Sequence, residues 1–135
     1  MIVQSANIKD QSQVKSSKPE LKYRAFYFSL DIIRFIESLE HKQPSVRIIF
    51  EQLIRSATSI GANIVEAKSS SSKREFLNYF QIALKSAQET KYWLALLKEL
   101  LPNHRGKMIE FLKEAEDITK ILSSSVLTMK NKRQL

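Results

Sequence analysis

The chain has 135 residues, 43% of them hydrophobic, which is enough for one domain with a packed core. Two glycines and three prolines supply few turns and favour helices, and the absence of cysteine excludes disulfides and thiolate metal sites. The net charge of +8 raises a nucleic-acid role, but most of the excess sits at the ends: residues 1–19 carry Lys9, Lys15 and Lys18 against Asp10, and residues 130–135 carry Lys130, Lys132 and Arg133 with no acid.

Residues 1–19 are rich in Ser, Gln and Lys and are expected to be a disordered tail. They lack the apolar centre of a signal peptide, and no apolar run reaches the roughly 20 residues of a membrane span, so a cytoplasmic location is expected. A first helix is predicted from about Glu20 to Glu40. Phe26, Leu30, Ile33 and Phe35–Ile36 form its stripe, and Tyr23, Tyr27, Phe28, Ile32 and Leu39 widen it. A helix apolar on most sides needs two partners, so its second face is assigned to another subunit. A second helix, Ser45 to Lys68, follows Pro44 and repeats Val46, Ile49, Leu53, Ala57, Ile60 and Ile64 at steps of three and four.

The third helix starts at a capping box, Ser72 with Glu75 three residues on, and runs to Leu101, where Pro102 stops it. Its seam is Phe76, Phe80, Ala83, Ala87, Leu94, Leu97 and Leu101. The fourth, about Asn103 to Met129 with Asn103 as N-cap, has the seam Met108, Leu112, Ala115, Ile118, Leu122 and Met129. Short connections between four amphipathic helices predict an all-α, antiparallel up-down-up-down four-helix bundle over residues 20–129, followed by a basic tail at 130–135.

Catalytic patterns are missing. Neither His41 nor His104 has a glutamate three residues earlier, as a di-iron bundle site requires, and both fall at helix ends beside loops. Glu110, Glu114 and Asp117 share a face that reads as solvated, with Lys113 and Lys120 nearby. No His–acid pair activates a serine, and no glycine-rich phosphate loop exists. The expectation is a non-enzyme with no metal and no cofactor.

Gly61 sits inside the second helix, where it costs about 0.5–1 kcal/mol against alanine. Ser56, Ala57, Ser59 and Ala62 are also small, so another backbone can come close. Asn63 and Glu66 lie one turn apart on the side of Ser59. The runs LIRSATSIGANIVE (53–66), SKREF (72–76) and ALKSAQE (83–89) together resemble the 23S rRNA intervening-sequence protein family, small four-helix bundles, in order and spacing. Ala67 stands where that family's motif has glycine, so a left-handed C-cap is not expected.

The resemblance implies a homo-oligomer, since relatives, including the accessory protein of diversity-generating retroelements, form homopentamers. In that branch the protein binds nucleic acid and a reverse transcriptase. Asn63, Glu66, Glu75 and Glu89 occupy motif positions and are read as a polar network at the junction of the second and third helices. Arg55 has Glu51 or an acid of the third helix as its partner.

Two functions compete. One is binding of RNA or DNA backbone through Lys68, Lys73 and Arg74 at the junction, Arg47 and Arg55 on the second helix, and Lys130, Lys132 and Arg133 at the end. Few aromatics interleave with these cations, so base stacking is not expected. The other is a scaffold for a protein partner such as a polymerase, bound by the first helix or near Tyr92 and Trp93.

Overall fold

A computed structural model describes residues 20–40 and 43–134, the last two as backbone only. The expected N-terminal tail, His41 and the side chain of Arg133 lie outside the described residues. Among those residues the secondary structure is all helical: α1 (Leu21–Glu37), α2 (Pro44–Lys68), α3 (Lys73–Leu100), a 3-10 turn (Pro102–His104) and α4 (Arg105–Gln134). Each helix packs on its neighbours in the order α1, α2, α3, α4, with α4 closing back on α1 and the diagonal pairs apart. That is a four-helix bundle.

Local chemistry sets the boundaries. Pro44 occupies the first turn of α2, where its missing N–H costs nothing. At the start of α3, Ser72 Oγ accepts the amide of Glu75 at 3.1 Å. The Glu75 carboxylate reaches back one residue further than a capping box does, to the amide of Ser71 at 3.0 Å. α2 ends without a left-handed residue, as the alanine at 67 implies: Ser69 adopts φ −97° and ψ 2°. The Ala67 carbonyl accepts from Ser70 Oγ at 2.6 Å, and the Ala67 methyl is buried.

Three boundaries differ from expectation. α1 ends at Glu37. Asn103 is not an N-cap, because Pro102 opens a 3-10 turn first and α4 begins at Arg105. α4 runs five residues past Met129, since Lys130-Asn131-Lys132 contains no breaker.

The core is continuous from Ala25 to Val126. On α1 it is reached through Ala25, Phe28 and Ile32, with Phe35 and Ile36 packed against it; Phe26, Leu30 and Ile33, expected as the main stripe, face outward with Tyr23 and Tyr27. The reason is size. Ala25 lets α1 approach α2 at Gly61, where an added Cβ would stand 3.5 Å from the Ala25 methyl. Ser29 Oγ bridges the same crossing, 3.1 Å from the carbonyls of Ala25 and Ala57. Phe50, Leu77, Phe111 and Val126 are buried, whereas Ile49, Phe76, Leu112 and Met129 only border the core. Phe111 stands edge-on to both Phe28 and Phe35. His104 lies edge-on to Phe35 at 5.4 Å and is half-buried, not an exposed loop side chain.

A ladder of small hydroxyls runs between α2 and α3. Thr90 Oγ1 lies 2.9 Å from Ser56 Oγ, both fully buried, and Ser86 Oγ lies 2.8 Å from Ser59 Oγ. Asn63 Nδ2 extends it, donating to the Ser59 carbonyl at 2.8 Å and to its hydroxyl at 3.1 Å.

Candidate nucleic-acid interface

Several cations along the body of the bundle are paired with acids. Arg24 of α1 makes a bidentate pair with Glu114 of α4, at 3.0 and 2.7 Å, and reaches Asp117 at 3.5 Å. The hydrogen bond to Glu114 is the main reason the Arg24 guanidinium binds its proton even more tightly than usual. The acidic face of α4 is therefore an interhelical clamp as well as a solvated surface. Lys91 of α3 donates to Glu116 at 2.6 Å and holds that carboxyl below the usual glutamate value. Arg55 pairs with Glu89 of α3 and with Gln52, and Glu89 also accepts from Trp93 Nε1 at 3.0 Å.

One end of the bundle is different. Lys68 at the end of α2, Lys73 at the start of α3 and Lys132 near the end of α4 line one cavity of about 480 Å³. Ser70, Ser71 and Ser72 line it too, with Ala67, Phe76 and Met129 as its apolar wall; no acid does. Among the described residues none of the three lysines has an ion pair. Arg74 and Glu75 line an adjoining cavity that shares Ser72.

The expected cations therefore do not form one patch. Lys68, Lys73 and Lys132 converge, with Arg74 alongside. Lys130 is exposed on the same turn of α4 but does not line the cavity. Arg55 is about 20 Å back along α2 and held by Glu89, and Arg47 is about 32 Å back, at the helix's other end. The polar motif residues divide as well. Asn63, Glu75 and Glu89 serve the hydroxyl ladder, the α3 cap and the Arg55–Trp93 link. Glu66 is exposed on the border of a groove between α1 and α2. Missing from the sequence reading were Phe76 and Met129 beside the lysines; the signal was the unbroken helical stretch after Met129.

The α1–α2 groove, about 790 Å³, is mainly apolar, lined by Tyr23, Phe26, Tyr27, Leu30, Ile33 and Val65 with Gly61 and Ala62. Phe26 and Val65 remain 55% and 53% exposed, which marks this face as uncovered in the single chain. Among the described residues no cluster of acids and histidines could hold a metal ion, and no helix is long and apolar enough to cross a membrane.

Fold and sequence together define a small all-helical bundle with three lysines gathered around one cavity at one end. Residues 18–124 match the 23S rRNA-intervening sequence proteins, and the chain belongs to that family. It is similar to a crystal structure from Bacteroides thetaiotaomicron, described as a protein with unknown function from the S23 ribosomal protein family. The two share 35% identity and a TM-score of 0.72 over 79% of this chain and 98% of that one. No curated protein matches. The last ten residues of α4, which carry Met129 and Lys132, lie beyond the family match.

Proposed function

We propose that this chain is a non-enzymatic, homo-oligomeric protein of the cytoplasm that binds the phosphate backbone of RNA or DNA. The observation that carries this reading is the convergence of Lys68, Lys73 and Lys132, from three helices, on a cavity that no acid lines. Cations left unpaired in this way gain most from releasing phosphate counterions. Oligomerisation multiplies the patch. The outward apolar face of α1 is the surface for it, and five copies is the number the family resemblance suggests.

The test is binding of a short labelled RNA at about 50 and 200 mM salt, with mass from light scattering. Salt-sensitive binding that weakens severalfold in Lys68→Ala/Lys73→Ala, while Arg47→Ala leaves it unchanged, is the expected outcome. Binding that ignores salt, or no binding, refutes the reading. A second reading, a scaffold for a protein such as a polymerase, draws on the α1–α2 groove. It requires that groove to be free in the isolated protein, so a monomeric mass favours it.

A further inference from the structure

The basic cavity is not lined by charge alone. Phe76 and Met129 form part of its wall, directly among Lys68, Lys73 and Lys132. Phe80 backs the Phe76 ring, with centroids 4.7 Å apart and planes 23° from parallel, so the ring is already held in place. Phe76 stays half-buried and not sealed in the core. At the start of α3, Ser72 and Glu75 already occupy the amides of Glu75 and Ser71. The three lysines bring positive charge to the cavity, and they stand beside an apolar wall.

A regular duplex presents phosphates but keeps its bases stacked inside. It has nothing to set against Phe76 and Met129. A single strand offers both a phosphate and a free base face, and aromatic rings accept any base in this way. The geometry points to a cleft for one unpaired nucleotide of a single-stranded nucleic acid, its base laid over Phe76 and its phosphates on Lys68, Lys73 and Lys132. This rests on the phosphate-binding reading above and narrows it from backbone in general to single strands. It also revises the expectation that no base stacking occurs, because the helical extension of α4 brings Met129 and Lys132 to an aromatic that sequence order hides.

The test uses the full chain and three labelled probes of equal phosphate number: an oligouridine of about 12 nucleotides, the same strand without bases, and a duplex. The expected result is that oligouridine binds about tenfold more tightly than the abasic strand and more tightly than the duplex. Phe76→Leu, which keeps the wall apolar, brings oligouridine down to the abasic level, and Phe76→Tyr retains the difference. Equal, salt-sensitive binding of all three probes by the wild-type chain overturns the cleft and leaves the phosphate reading standing. Absence of binding to any probe overturns both. Because the abasic comparison needs no variant, it decides the matter even where Phe76→Leu fails to fold.

Discussion

Single hydroxyl side chains add to the apolar packing that ties α2 to α3. Thr90→Val keeps the shape of the buried side chain and removes its oxygen, so Ser56 keeps only its contact with the Leu53 carbonyl at 3.2 Å. The expected cost is about 1 kcal/mol in urea unfolding, with Ser56→Ala adding less than its own separate cost because the two hydroxyls are bonded to each other. Gly61→Ala is expected to raise stability by about 0.5–1 kcal/mol in the same measurement, since the new methyl would meet Ala25 at an ordinary contact distance. Glu116 supplies the pH dependence. Its carboxyl is held low, first by the Lys91 hydrogen bond and then by the charges of Lys91 and Lys120. Its contribution is thus full above the ordinary glutamate value and is lost as pH falls through the lower folded value. Lys91→Met should flatten that acid limb in urea midpoints measured against pH. In the sequence Ser56 stood out only as one of several small residues near Gly61, and Thr90 not at all; their burial rests on pairing between two helices, 34 residues apart in the chain.

Among the elements, α1 is held most lightly. Its contact with α4 is the smallest of the neighbouring pairs, and the Arg24–Glu114–Asp117 cluster stands on that seam. In the single chain, amide exchange should therefore be fastest in α1 and slowest in α3, and Arg24→Met should speed exchange in α1 before it affects α3. Helix number, order and the Ser72 cap were legible because periodicity and capping are local signals. The face of α1 was not. Its apolar residues cover most of the circumference, and the choice of inner face was made by the small Ala25 against Gly61, a contact between helices. The end of α4 was missed for the converse reason: charged residues read as a tail, although lysine is a good helix former.

For the whole molecule, the assembly prediction turns on the outward face of α1. A light-scattering mass near five times 15.6 kDa is expected for the wild type, and Phe26→Glu should bring it down to one chain without loss of helical circular dichroism. The convergence of Lys68, Lys73 and Lys132 was half legible: two of the three are neighbours in the sequence across a serine run, and the third required knowing which end of the bundle α4 reaches. That placement has a geometric consequence. The α2–α3 turn and the last turn of α4 share one end of the protomer, and rotation about a single axis carries that end of every copy to the same side. Where the bundle of each copy runs along the symmetry axis, a cyclic assembly of this chain is two-sided, with a cationic crown on one rim and none of these lysines on the other. A strand meeting such a particle would approach it from one direction only.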